Sequence, residues 1–164
     1  MKRVTRSNVW ETNSSSMHTV TVQGKRNINS SYRISDIIEV RLGEYGWSGD
    51  PCDDFMSKLA YAMSMILHTE YPSFSSYDDD FMVDQDILEE LPGYQLLMNA
   101  IREHGYCEKI LIKRRGAYWP YGYIDHQSCE DYSSLQDFLD DWHVDAEQFL
   151  FDDNVTVWID NDNH

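Results

Sequence analysis

Cysteine is scarce in this chain, and its scarcity argues against a disulfide-stapled fold. The 164 residues include three cysteines, an odd number, and no two of them stand in a Cys-x-x-Cys pair. Small secreted domains that rely on disulfides carry more cysteines, usually in even numbers. The composition therefore predicts reduced thiols and a cytoplasmic protein.

Long apolar runs are also missing. The most apolar stretch, Leu59 to Leu67, is far shorter than the roughly 20 residues that a membrane-spanning helix needs. The basic start, Met1 to Arg6, is not followed by the apolar segment of a signal peptide. We therefore expect neither a membrane anchor nor a secretory leader, and we predict that residues 59–67 belong to a core helix.

Lysine and arginine are absent after Arg115. The net charge is −16, and the segment after Arg115 contributes −12 of it because it holds twelve acidic residues and no Lys or Arg. Such a surface repels phosphates, so broad nucleic-acid binding is excluded. The charge instead predicts a basic protein partner, with solubility as the alternative explanation of the acidity. The candidate contact residues are Asp137, Asp140, Asp141, Asp152 and Asp153.

What the chain does contain is a pattern of alternating strands and amphipathic helices. Strand patterns occupy residues 18–23, 37–45, 107–115 and 155–161 and the stretch that begins at Tyr121. Asp50-Pro51 predicts the start of a helix that ends near His68, and Ser134 and Asp145 predict two later helix starts. We predict one α+β domain over residues 1–164, with a mostly antiparallel or mixed sheet of about five strands and about four helices packed mainly on one face.

Polar residues occur where three of the predicted strands leave their apolar faces. Alternation places His18 with Val20, His126 with Ile124, and Asn161 with Ile159. If these strands are neighbours, the three polar residues converge at one edge or end of the sheet. Short polar residues near them could complete the cluster, namely Ser14, Ser15, Ser16 and Asp125.

Three short motifs resemble a known group of proteins. They are the run Trp10-Glu-Thr-Asn-Ser-Ser-Ser-Met-His18, the later Tyr123-Ile-Asp-His-Gln-Ser128, and the Asp-Asn-Asp-Asn ending. They are similar to motifs of small proteins, mostly uncharacterised, encoded by phages and mobile elements of Gram-positive bacteria. The resemblance, together with the acidity, implies a protein of the bacterial host cytoplasm that inhibits a defence nuclease, in the manner of anti-CRISPR proteins.

The predicted polar cluster admits three interpretations. It could be a structural hydrogen-bond network, because buried polar groups need partners. It could bind zinc through His18 and His126 with Cys129 or Cys107, since imidazole and thiolate ligands suit that ion. It could also be catalytic, but no nucleophile elbow, phosphate-binding loop or zinc-protease motif is present.

We therefore expect an acidic binding protein that docks on a basic surface of a host protein. The resemblance implies that this host protein is a CRISPR-type nuclease, which would be blocked at its nucleic-acid site. The histidine cluster would be structural in that case, with zinc as a possible cofactor. The alternative function is a small metal-dependent enzyme that uses the His18/His126 site.

Overall fold

A computed structural model describes residues 16–46, 50–75, 78, 80–115, 119–124 and 132–161, except for the side chains of residues 16, 17, 160 and 161. These residues form six strands and five helices. The strands are β1 Ser16–Val22, β2 Ile37–Val40, β3 Glu44–Tyr45, β4 Lys109–Ile112, β5 Tyr123–Ile124 and β6 Val155–Asn161. The helices are α1 Phe55–Thr69, α2 Gln85–Glu90, α3 Pro92–His104, α4 Leu135–Asp141 and α5 Ala146–Phe151.

Helix α1 lies at the centre of the molecule. Every residue from Lys58 to Leu67 is buried, and a helix covered on all sides belongs in a core. It begins later than the Asp50-Pro51 signal predicted, because Asp54 is the N-cap residue. The Asp54 carboxylate accepts hydrogen bonds from the Met56 and Ser57 amides, which satisfies donors that a helix start leaves open.

The described strands form three separate two-stranded sheets. Strand β1 pairs with β6 antiparallel, whereas β2 pairs with β4 and β3 pairs with β5 in parallel. The α+β class is confirmed, but the predicted five-stranded sheet is not found among these residues. Alternating hydrophobicity indicates which residues lie in strands, whereas strand pairing depends on long-range contacts that a local pattern does not encode.

Side chains explain why the β2–β4 pair does not extend beyond β4. The Ile110 amide points away from β2 and donates to Tyr94 Oη at 3.0 Å. The Ile110 carbonyl accepts from Gln85 Nε2 at 3.1 Å. Helices α2 and α3 therefore satisfy the outer edge of β4 with side chains, which is one way that proteins protect a sheet edge.

The β1–β6 pair joins the two ends of the described chain. Val20, Val155, Val157 and Ile159 are buried, as the alternation predicted. The far edge of β6 is also occupied, because Cys52 and Val157 exchange two main-chain hydrogen bonds of 2.9 Å. This contact ties the segment before α1 to the C-terminal strand.

Candidate functional site

His18 lies in a buried polar cluster with two tyrosines. Its side chain is nearly enclosed, and its Nδ1 atom is 2.9 Å from the hydroxyl of Tyr61, which is fully buried on α1. His18 Nε2 lies 3.5 Å from the Gly46 carbonyl. The Tyr61 ring in turn packs against Tyr45, with ring centroids 5.1 Å apart. We call His18, Tyr45, Gly46 and Tyr61 the His18 cluster.

The His18 cluster lies where β3 and β5 end. Tyr45, the last residue of β3, pairs with Ile124, the last residue of β5. Gly46, which follows Tyr45 in the chain, contacts His18 through its carbonyl. Strand β5 is the beginning of the stretch that the sequence singled out. The predicted site residues Asp125, His126 and Cys129 lie outside the described residues, as do Ser14 and Ser15.

The pairing of β1 with β6 places two further residues of the predicted cluster. Ser16 pairs with Asn161, two positions along from the pair formed by His18 and Ile159. The ends of the two strands therefore bring Ser16 and Asn161 opposite each other in the backbone register. Their side chains are outside the described part of the structure.

The two described thiols are poor candidates for a nucleophile. Cys52 and Cys107 are both buried, and burial raises the pKa of each thiol. For Cys52 the pKa rises to about 12, with the neighbouring Asp54 carboxylate as a second cause. Since the thiolate is the reactive form, neither group is activated at neutral pH. Cys107 Sγ instead lies 3.6 Å from the Lys109 carbonyl.

The described part of the chain also bears on the metal prediction. Within it, no group of three or more His, Cys, Asp and Glu side chains is arranged to hold a metal ion. Zinc sites normally use four ligands. The predicted set includes His126 and Cys129, which lie outside the described residues, so zinc binding stays a prediction.

Lys58 is an unusual buried group that the sequence analysis did not single out. Its side chain is 1% exposed, and its Nζ atom donates to the carbonyls of Asp152 and Val155 at 2.9 and 3.1 Å. Burial lowers the pKa of this amine, whereas the nearby carboxylates, Asp153 foremost, act to raise it. Lys58 thus links α1 to the turn between α5 and β6, where helix-end carbonyls favour a cation.

The predicted acidic contact residues divide into two groups. Asp137, Asp140 and Asp141 on α4 are exposed, and so is Asp153. Asp152 is 0% exposed and accepts hydrogen bonds from the Asn154 amide and Gln148 Nε2. Asp152 therefore helps to shape the turn before β6, and we remove it from the contact surface.

Glu70 connects α4 with the segment that follows α2. The Glu70 carboxylate accepts from the Gly93 amide at 2.7 Å and from the Leu135 amide at 2.9 Å, so it holds the starts of α3 and α4 together. Helix α2 ends immediately before α3. We define the acidic face as the exposed carboxylates of α2 and α4, namely Asp86, Glu89, Glu90, Asp137, Asp140 and Asp141.

Sequence reasoning missed the α2 half of this face. The carboxylates of α2 stand far from those of α4 in the chain, and Glu70 resembles any other surface glutamate in a sequence. Only the two amide contacts of its carboxylate show that the start of α4 lies close to the residues that follow α2.

Comparison with known proteins adds no relative. No protein-family model, curated protein or solved structure matches the chain. Among the described residues, none of the helices combines the length and the apolar character needed to cross a membrane. The chemistry of the described residues is therefore the basis for a functional proposal.

Proposed function

We propose that this protein is an acidic binding protein that docks through its acidic face on a basic surface of a host protein. The partner class that we favour is a CRISPR-type nuclease of the bacterial cytoplasm, bound at the site that otherwise holds nucleic acid. The phage or mobile-element origin rests on the resemblance of the short motifs, and the choice of a nuclease follows from it.

The observation that carries the proposal is the position of the carboxylates on α4. Asp137, Asp140 and Asp141 are exposed on one short helix that has no cation of its own. Two other acidic residues of the C-terminal region, Asp145 and Glu147, share the cation Arg26, which offsets part of their charge. Within the described part of the chain, Asp137 and Asp140 accept side-chain hydrogen bonds only from neutral groups, Ser133 Oγ and Gln136 Nε2, so their charge remains available to a partner.

The proposal is tested with purified CRISPR effector nucleases as defined probes. We expect one of them to bind the protein, to lose DNA binding in its presence, and to release it as sodium chloride is raised toward about 0.5 M, where charge attraction is screened. The test variant is Asp137→Asn/Asp140→Asn/Asp141→Asn, which keeps side-chain shape. We expect its affinity to fall about tenfold or more.

A matched variant separates this face from net charge. Asp36→Asn/Asp50→Asn/Glu103→Gln removes the same number of charges from exposed positions outside the acidic face. This control should bind like the natural protein. Equal weakening by both variants would show that only net charge matters, and a complete lack of binding across the nuclease panel would overturn the proposed partner class.

Zinc is a separate prediction within the same proposal. Both ring nitrogens of His18 already have contacts, Nδ1 with the Tyr61 hydroxyl and Nε2 with the Gly46 carbonyl, so one of these contacts would have to be replaced when His18 binds zinc. Elemental analysis of untagged folded protein should find about one zinc per chain, lost in His18→Ala and His126→Ala. Folded protein that contains no metal after expression with added zinc would contradict the prediction.

A further inference from the structure

Within the described part of the chain, the edge of β2 that faces away from β4 has no partner strand. The carbonyls of Asp36 and Val40 accept from the amides of Glu108 and Lys113, so these even-numbered residues direct their main-chain groups toward β4. Alternation then directs the amide and carbonyl groups of Glu39 and Arg41 to the opposite edge. Among the described residues, no strand pairs with that edge. Unpaired strand edges are the surfaces to which further strands add.

A groove lies beside the C-terminal half of β2. It has a volume of about 460 Å³, and it lies between β2 and the first turns of α1. Residues from both faces of the strand line it, including Val40 and Arg41, and Met56 of α1 lines its other side. Met56 is 42% exposed, and Ile37 at the start of β2 is 41% exposed.

The charges on the strand are complementary to a second copy of themselves. Glu39 and Arg41 flank Val40 with opposite signs. In an antiparallel pair of two β2 strands centred on Val40, Glu39 of each copy lies opposite Arg41 of the other. Both residues direct their main-chain groups outward, so the same register also allows four main-chain hydrogen bonds. Centring the pair on residue 39 or 41 would instead place like charges opposite each other.

The two charged residues of β2 differ in their partners within the single chain. Glu39 is already paired with Lys113, whose Nζ atom lies 2.7 Å from the Glu39 carboxylate. The Arg41 side chain is exposed and forms no hydrogen bond or ion pair within the described part of the chain. Charged side chains on an edge strand usually discourage the addition of another strand. In the register centred on Val40, however, the opposite charges of Glu39 and Arg41 face each other and attract.

We propose that the protein forms a two-fold symmetric dimer through antiparallel pairing of its two β2 edges, with the two-fold axis at Val40. The pairing would join two β2–β4 sheets into one four-stranded sheet. The strand of each copy would cover the groove of the other copy and bury part of its Met56 side chain. This apolar burial would stabilise the dimer in addition to the main-chain hydrogen bonds. This interface does not use the acidic face, so the inference is independent of the proposed function.

Charge exchange tests this register directly. We expect analytical ultracentrifugation of the natural protein, from about 10 to about 500 µM at a salt concentration near 0.15 M that screens the net charge, to show a concentration-dependent rise toward twice the 19.3 kDa of one chain. Glu39→Arg and Arg41→Glu should each remain monomeric, because like charges then face each other. An equimolar mixture of the two variants should dimerise, and so should the double exchange E39R/R41E.

Two matched controls complete the experiment. Arg33→Glu and Glu103→Arg make the same changes of charge at exposed positions away from this edge and should dimerise like the natural protein. Rescue in the mixture cannot arise from variants that fail to fold, so it separates an interface effect from misfolding. The inference is overturned if the natural protein is monomeric throughout, if either single variant dimerises normally, or if mixing restores nothing.

Discussion

At the scale of single residues, the contact between His18 and Tyr61 holds β1 against the central helix. Both side chains are buried, so a donor or acceptor that loses its partner here is not compensated by water. Tyr61 also packs against Phe138 of α4, with ring centroids 5.7 Å apart. The hydroxyl of Tyr61 therefore contacts His18, whereas its ring packs against Phe138. A substitution that removes only the hydroxyl can separate the contributions of these two contacts to stability.

Tyr61→Phe removes the hydroxyl and keeps the ring. We expect a loss of about 1–3 kcal/mol in the free energy of unfolding, because His18 Nδ1 loses its partner in a buried site. Urea denaturation monitored by circular dichroism measures the change. Tyr32→Phe is the matched control, since Tyr32 is partly exposed and its hydroxyl has no described partner, and it should cost less than about 0.5 kcal/mol. Equal effects of the two substitutions would contradict the prediction.

The buried thiol of Cys52 should make stability depend on alkaline pH. Its folded-state pKa of about 12 lies above its ordinary value of 9.0, so burial favours the protonated thiol. The folded state therefore keeps a proton that the unfolded state releases. This contribution to stability is complete below pH 9 and is lost as the pH rises toward 12, by up to about 1.4 kcal/mol per pH unit.

Cys52→Ala isolates that contribution. The natural protein should lose stability more steeply than the variant between pH 9 and pH 11, whereas the two curves should run parallel between pH 6 and pH 8. Guanidinium denaturation at each pH provides the two curves. The nearby phenol of Tyr45, whose pKa is also raised by burial, is present in both proteins and largely cancels from the difference. Parallel curves above pH 9 would show that Cys52 does not titrate as proposed.

Sequence patterns predicted individual residues well where local chemistry decides their role. Ser134 and Asp145 are N-caps, as expected. A short polar side chain just before an apolar helical repeat can accept a hydrogen bond from a free amide of the first turn. Lys58 could not be found this way. Its burial depends on two carbonyls about a hundred positions away in the chain, and nothing near Lys58 in the sequence reveals them.

At the scale of elements, the Glu70 carboxylate determines how α3 and α4 meet. It accepts from the amides of Gly93 and Leu135, each at the start of a helix, where the partial positive charge of the helix favours an anion. Gly93 permits the contact because it has no side chain. A Cβ atom at position 93 would lie 2.5 Å from Glu70 Oε1 and 2.7 Å from Ile66 Cγ1.

Gly93→Ala should therefore displace the Glu70 carboxylate and weaken two helix starts together. We expect a net loss of roughly 2–4 kcal/mol in the free energy of unfolding, although alanine is by itself the better helix former. The control is Gly46→Ala, whose Cβ would meet its nearest atom, Tyr123 Cε1, at an ordinary 3.6 Å. Thermal and chemical denaturation compare the two variants. Gly93→Ala at natural stability would mean that Glu70 does not join the helices.

The positions of the elements were largely predictable, whereas their partners were not. Alternation located β6 and its buried Val155 and Val157. The parallel pairing of β2 with β4 and of β3 with β5 was missed, because it depends on how α1 organises the core. A helix with apolar residues on all sides signals a central position, and that signal in residues 59–67 was available.

At the scale of the whole molecule, charge opposes folding. The net charge of −16 is concentrated in the last third of the chain, and like charges brought together in a compact state repel one another. The fold offsets part of this repulsion locally. Arg26 pairs with Asp145 and Glu147, and His104 Nε2 lies 3.0 Å from Glu147 Oε1. Within the described part of the chain, the carboxylates of Asp137 and Asp140 have no cationic partner.

Screening by salt should therefore stabilise this protein. We expect the melting temperature to rise by a few degrees between about 10 mM and about 0.5 M sodium chloride, because the Debye length falls below the spacing of the surface carboxylates. The Asp137→Asn/Asp140→Asn/Asp141→Asn variant should melt higher than the natural protein in low salt, and the difference should narrow in high salt. Scanning calorimetry at three salt concentrations measures both effects. A melting temperature that falls with salt would mean that the attraction in the ion pairs of Arg26 outweighs the repulsion among the surface carboxylates. The acidic face would then not lower the stability of the fold.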